Sequence, residues 1–586
     1  MDRNDDLLVT RQGSLTVDGA DAISNRTLTD DHLDLFILGQ VTATGLASPG
    51  QGASAVFLSA SSPGHNSVTV GTSGRLEALQ GLGIASLASA ATVVNQGTIA
   101  AATGILVNQG DNRVDNTGTI IATDTAIAVG GFGIGLKRDF SVIHNTGTIQ
   151  SFADPTNPGG SGWGIAVFAD WARLINDGDI SAHVAAFSQA THTSLVNNGL
   201  ISSDTELLFL QRYASLVNTG TITVSGVGSF FTGAVFKAVE AFASVVNSGT
   251  MSYTGARNAE SFPGAISLGD QTGVGGRSTL NNSGTISSTS NGVDTWGARE
   301  IVNSGTISAG IIAISAIGAQ GSQGVMTVLL NTGLIEGGNY GIFNDFIGIK
   351  VQNYGTISGA LDPLLPGYSI WMNGWRGQID NHGTLIGEVY IGSSRMTNSG
   401  AINGNVTFGY STITNSGVIT GDLTIFDEGT YLGLGKGVVT GSVNGSFSND
   451  HLTGGNRSDR FIGNDGNDTL SGGGGQDLLN GGLGKDILTG GTGADSFIYT
   501  ATTDSDHILG TDRITDFTAG TDKIDLSAFL SGATFIGAAG FSGLAPEVRY
   551  DAATGLLRAD ADGDGAADFW LILTNHATLT AGDLVL

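Results

Sequence analysis

Apolar and polar residues alternate along most of this chain with two distinct beats. From 93 to 419 the beat is an apolar residue, any residue, Asn, any residue, Gly, any residue, then Ile, Leu or Met. It recurs fourteen times, with Asn at 95, 116, 145, 176, 197, 218, 247, 282, 303, 331, 353, 381, 398 and 415. The residue two before each Asn is apolar (Val93, Val114, Ile143 through Ile413), and so is the residue four after it (Ile99, Ile120 through Ile402 and Ile419). Even offsets place these residues on one face of extended chain, with Asn-x-Gly as a bend between two strands. Copies lie 17 to 35 residues apart, which is one supersecondary unit per copy with insertions. A further apolar segment recurs between copies, at 104–107, 164–168, 265–266, 311–314, 341–343 and 369–371, and reads as the next strand of the same coil. The fold expected is all-β: a right-handed parallel β-helix over 91–440. Its coils bury Val and Ile on one another, and its Asn amides bond to the next Asn in an interior ladder. Residues 1–90 read as an N-terminal cap and irregular first coils.

The second beat is shorter. Residues 454–498 divide into five blocks of nine, GGNRSDRFI, GNDGNDTLS, GGGGQDLLN, GGLGKDILT and GGTGADSFI, preceded from Gly445 by a weaker one, GSFSNDHLT. Each is a six-residue turn ending in Asp, followed by a three-residue strand with Phe or Leu at its centre. Glycines at the first, second and fourth positions are expected to take positive φ and turn carbonyl oxygens into a common concavity. Two blocks make one coil, so Asp459, Asp477 and Asp495 should line one edge and Asp450, Asp468 and Asp486 the other. A Ca²⁺ ion between stacked turns would find carboxylates and carbonyls, the all-oxygen shell a hard cation prefers, and folding would be coupled to its binding. Arg457 stands in place of a turn glycine and Asp465 adds an unexpected carboxylate. This β-roll is placed at 441–499.

Charge sharpens the picture. The net charge is −28, and from Gly445 onward 20 acidic residues face 7 basic ones. Such a surface excludes nucleic acid as a partner and favours divalent cations. Cysteine is absent, so disulfide and thiolate chemistry are excluded. The first residues carry three early aspartates and no apolar run of signal-peptide length, and no segment has transmembrane length; export without an N-terminal signal peptide is the expectation.

The blocks match G-G-x-G-x-D-x-U-x, and here the chain resembles the RTX (repeats-in-toxin) family of bacterial calcium-binding proteins. The resemblance implies secretion to the extracellular space by type I machinery reading an uncleaved C-terminal signal. Beyond the blocks, Asp512-Arg-Ile-Thr-Asp516-Phe517 and Gly520-Thr-Asp522-Lys-Ile-Asp525-Leu526 are similar to the C-terminal region of serralysin-type proteases, which sets a last small β domain at 500–586. The ending Asp583-Leu-Val-Leu586 is similar to the family's export signal. Asp560, Asp562, Asp564 and Asp568 alternate around a glycine turn as calcium loops do, without the bidentate Glu of an EF-hand. The Asn-x-Gly beat resembles the stalks of autotransporter and haemagglutinin-type adhesins.

Catalytic signatures are scarce. No His-Glu-x-x-His and no Gly-x-Ser-x-Gly occurs. Polysaccharide-modifying enzymes use carboxylates on the flank of a β-helix, for which Asp170, Asp177, Asp179, Glu336 and Asp345 are candidates. Tryptophans cluster in the long intervals: Trp163, Trp171, Trp296, Trp371 and Trp375. Trp371 and Trp375 are candidate glycan contacts, or anchors of their loops. Two function classes follow: a non-enzymatic, calcium-folded adhesin or matrix protein contacting surface glycans, and a lyase, epimerase or hydrolase with its site on the β-helix flank.

Overall fold

The computed structural model describes residues 7–586 except 19–20, 25–31, 45, 49–50, 59–64, 88–89, 109, 131–139, 153–161, 189, 207–208, 211–212, 226–235, 239–241, 256–263, 270–277, 297–298, 317–325, 346–347, 360–366, 509 and 545. Two compact units result, Met1–Thr327 and Val328–Leu586. Regular structure is almost all β-strand, with short 3-10 turns at Thr502–Asp504 and Ala581–Asp583. No helix among the described residues is long and apolar enough to cross a membrane.

In the first unit the Asn beat builds a parallel β-helix. Strands ending in the repeated Asn, such as Thr92–Asn95, Arg113–Asn116 and Val142–Asn145, form one sheet in which Val93 faces Val114 and Val114 faces Ile143. Strands after the bend form a second sheet, with Ile99 beside Ile120 and Ile120 beside Ile149. Gly264–Gly269, Asn291–Trp296 and Ile312–Ala316 belong to a third. In earlier coils the second strand runs on through a bulge, so 104–107 ends the single strand Thr98–Val107. The same parallel stacking reaches back through His65–Val70 and His32–Ile37 to Leu7–Val9.

Each repeated Asn is buried and joined to the next. The Nδ2 of Asn95 donates to Oδ1 of Asn116 at 2.7 Å, and the chain of bonds continues through Asn145, Asn176, Asn197, Asn218, Asn247 and Asn282 to Asn303. A second donation, from Asn197 Nδ2 to the Gly199 carbonyl and its equivalents, ties the bend. The amide therefore satisfies groups that a buried bend would orphan. Asn218→Ala removes the acceptor of Asn197 and the donor to Asn247. It is expected to lower stability by about 1–3 kcal/mol, read as a lower denaturant midpoint; an unchanged midpoint would show the ladder to be energetically neutral.

The second unit is likewise built of three parallel sheets, with an Asn ladder running from Asn331 through Asn353, Asn381 and Asn398 to Asn415. The second sheet ends at Val438–Val439, beside Val418 and Ile419. The other two continue into the nonapeptides: Tyr431 faces Leu452 and Val443 faces Phe461, with the rings of Tyr431 and Phe461 edge to face at 6.1 Å. Helix and roll thus share one core, and the coil changes from three strands to two. Blocks eighteen residues apart stack, Leu452 on Leu470 on Leu488 and Phe461 on Leu479 on Phe497. Asp512–Ile514 and Lys523–Asp525 extend these two sheets. An antiparallel meander, Glu547–Asp551, Leu556–Asp560 and Phe569–Leu573, then covers the first, and Leu584–Val585 pairs with Ile524 and Asp525 on the other.

Candidate metal centre

The D-x-U spacing puts each aspartate at the last turn position, immediately before a strand whose central residue is buried. The strand register then fixes where its carboxylate goes. The backbone N–H of Asp450 donates to Oδ1 of Asp468 at 2.8 Å, Asp468 to Asp486 and Asp486 to Asp512, each at 2.8 Å. On the other edge Asp459 donates to Asp477, Asp477 to Asp495 and Asp495 to Asp522, at 2.8, 2.9 and 3.1 Å. The structure brings together the six aspartates of the repeat as two columns and adds Asp512 and Asp522 at their ends. Both were legible: Asp512-Arg-Ile and Asp522-Lys-Ile repeat the D-x-U signal outside the nine-residue frame.

The second carboxylate oxygen separates the turns. Oδ2 of Asp468, Asp477, Asp486, Asp495 and Asp512 is buried and accepts no hydrogen bond. Oδ2 of Asp450 instead accepts from the N–H and hydroxyl of Ser446, and that of Asp459 from the N–H of Gly455. The first two blocks of the series are therefore the two whose carboxylates the protein satisfies by itself.

The glycines divide their roles differently from expectation. Positive φ occurs at the second and fourth positions, Gly473 and Gly475, Gly482 and Gly484, Gly491 and Gly493, with Asn464 and Gly466 in the block before them. The first position is glycine for space. A Cβ on Gly472 or Gly481 would lie 2.3 or 2.1 Å from Oδ2 of Asp477 or Asp486, the aspartate of its own turn. Carbonyls crowd the same stacked turns: a Cβ on Gly482, Gly484 or Gly491 would meet the carbonyl oxygen of Asn464, Gly466 or Gly473 within 2.0 Å.

Burial without a counter-charge moves these carboxyls up. Asp459 and Asp477 are pushed to about 6, Asp486 to about 7, Asp468 to about 8 and Asp512 to about 9, above all by burial. A donated N–H offsets part of this, from the preceding coil at Asp468, Asp477, Asp486 and Asp512 and from Gly455 of its own turn at Asp459, and neighbouring carboxylates add to it at all but Asp459. Buried oxygens without donors, carbonyls converging on them and uncompensated negative charge are what a dication with a preference for oxygen corrects. The donor set fits Ca²⁺.

The remaining candidates are not members of the columns, although the Asp465 carboxylate is near enough to Asp468 to raise its carboxyl further. Asp465 is half-buried, its backbone bridged to Leu483. Carboxylate oxygens of Asp560, Asp562 and Asp564 lie within 4.8 Å of one another, but Asp560 accepts from the N–H groups of Gly563 and Gly565. Asp568 accepts from Ala561 N–H and closes the base of that loop. Of the flank acids, Asp170 accepts from Thr191 N–H. Asp177 bonds to Asn198 and to His144 Nε2, and these two hold its carboxyl below the usual range. Asp345 accepts from Asn373, while Asp179 and Glu336 lie within strands of the second sheet.

Trp371 lies on the outer face of the third sheet, stacked on Tyr390 at 4.2 Å and edge-on to Tyr368 and Tyr340. Trp375 stands 78% exposed in the following turn. Trp171 begins a separate stack on the first unit, with His192, Tyr213 and Phe242 at 3.8, 4.5 and 4.9 Å. Trp163 begins Trp163–Val167 and tilts against Phe168, and Trp296 ends Asn291–Trp296.

Among solved structures the chain is similar to the AlgE6R3 subunit of the Azotobacter vinelandii mannuronan C5-epimerase, with 37% identity over 24% of this chain and 80% of that one, at a TM-score of 0.20. No curated protein matches it. Residues 275–586, which hold the last Asn coils, the nine-residue turns and the meander, match the family described as Peptidase M10 serralysin C terminal, and the chain belongs to that family.

Proposed function

We propose that this chain is a secreted calcium-binding protein whose C-terminal roll completes its folding on Ca²⁺ outside the cell, and whose β-helix serves as a non-enzymatic adhesin or matrix surface. The observation that carries the calcium reading is the set of buried, donor-less Oδ2 atoms in the two aspartate columns. Asp468, Asp477, Asp486, Asp495 and Asp512 would hold the ions together with the turn carbonyls, and Asp450 and Asp459 would contribute least. When bound, Ca²⁺ supplies positive charge and oxygen coordination, not reaction chemistry. Membership of the serralysin C-terminal family supports export, since its proteins leave the cell by type I secretion.

An enzymatic reading has one observation in its favour. A cavity of about 340 Å³ on the first unit is lined by Ser181, His183, Ser202 and Asp204, and His183 Nδ1 lies 2.8 Å from Asp204 Oδ1. The test is the calcium-loaded full chain applied to cells and to polysaccharide-coated beads, with uronate polymers assayed in parallel for cleavage or epimerisation. Calcium-dependent adhesion without turnover is expected. Turnover abolished by His183→Ala would replace the adhesin with an enzyme.

A further inference from the structure

Where the β-helix passes into the roll, within the second unit, lies an open cavity of about 710 Å³. Thr424, Phe426, Phe447, Arg460, Asp465 and Asn480 are among its lining residues. Three of these are uncommitted. Phe447 is 83% exposed, and the side chains of Arg460 and Asp465 make no hydrogen bond or ion pair among the described residues. An exposed aromatic ring lining the same cavity as an unbonded guanidinium, carboxylate and amide offers an apolar face together with hydrogen-bonding groups, the combination a polyhydroxylated ligand needs.

We propose that this cavity binds a neutral hexopyranose unit of a polysaccharide, with the Phe447 ring against the apolar face of the sugar and Arg460, Asp465 and Asn480 engaging its hydroxyls. Charge decides for a neutral sugar. The lining carries one cation against Asp465 and Asp504, so an acidic polymer meets net like charge on the cavity wall. Peptide addition is disfavoured because the strands here, Val443–Asn444, Arg460–Ile462 and Leu478–Asn480, already pair with one another and leave no open edge. The floor is consistent with this: Phe426 stacks on Tyr390 at 5.6 Å and packs over Gly409, so its ring is held rigidly.

The inference rests on the calcium reading above, because Asn464, Asp465, Gly482 and Leu483, on one wall, belong to two stacked turns of the repeat. Sugar binding should therefore need calcium. The experiment uses the full chain in calcium, measured by calorimetry and affinity electrophoresis against dextran, laminarin and galactomannan, with alginate and pectate as acidic counterparts. Calcium uptake is followed in the same samples. Phe447→Ala and Arg460→Ala are each expected to weaken binding of a neutral polymer by about tenfold or more, with the melting temperature in calcium unchanged. Binding that survives both substitutions, or that is seen only with the acidic polymers, would overturn the proposal. Calcium uptake with no sugar bound would overturn it while leaving the calcium reading intact, whereas absence of calcium uptake would sink both.

Discussion

In chelator at about pH 7.5, the segment from Gly445 to Asp525 is expected to lose its β-sheet circular dichroism and to regain it in millimolar Ca²⁺ but not in Mg²⁺, which demands a tighter octahedral shell. The expectation follows from Asp468, Asp486 and Asp512, stacked on one edge with Oδ2 atoms that nothing in the protein satisfies. At that pH an unfolded chain has all of them ionised. The metal-free fold must either hold them protonated or bury their charge. Folded carboxyls raised to about 7, 8 and 9 bind protons that the unfolded chain has released above roughly pH 4. Their contribution to metal-free stability is therefore fully present below about pH 4 and is lost as pH rises from there to each group's folded value, about 7 for Asp486, 8 for Asp468 and 9 for Asp512. Each such group costs about 1.4 kcal/mol per pH unit across that window. Melting in chelator should fall as pH rises from 5 to roughly 8, while melting in calcium stays flat. A metal-free roll that grows more stable with rising pH would contradict the packing of the columns.

Gly220→Ala should be among the most damaging single methyls in the β-helix. Its Cβ would lie 2.1 Å from the carbonyl oxygen of Gly199 and 2.6 Å from the carbonyl oxygen of Asn198, both backbone atoms of the coil before it. The residue needs no left-handed conformation; it needs room. Side chains can rotate away from an intruding methyl, but stacked backbone held by Gly220 N–H to the Asn197 carbonyl and Thr221 N–H to the Gly199 carbonyl cannot. A loss on the order of 3 kcal/mol or more is expected, read as a lowered denaturant midpoint with local gain of hydrogen exchange around 197–224. Gly540→Ala is the control, since no atom lies within 4 Å of its Cβ position and its backbone is not left-handed. Equal effects at the two positions would show that coil spacing relaxes easily.

The even spacing of Val, Asn and Ile around each bend determined the β-helix, because only a period of two keeps those residues on one face. The nonapeptide Asp and Leu positions determined the stacking by eighteen for the same reason. The sequence also carried the Asn ladder, since an amide repeated at a buried bend has its own copy as neighbour. It could not separate the two roles of the turn glycines, because lack of a Cβ serves conformation and clearance alike and only the stacked coil shows which atom would be struck. Nor could it distinguish the orphaned Oδ2 of Asp468 from the satisfied one of Asp450, which depends on whether Ser446 turns back to reach it. The convergence of Phe447, Arg460 and Asp465 on one cavity was likewise decided by tertiary structure. Residues apart in the chain become neighbours only once the coil length sets which turn lies on which.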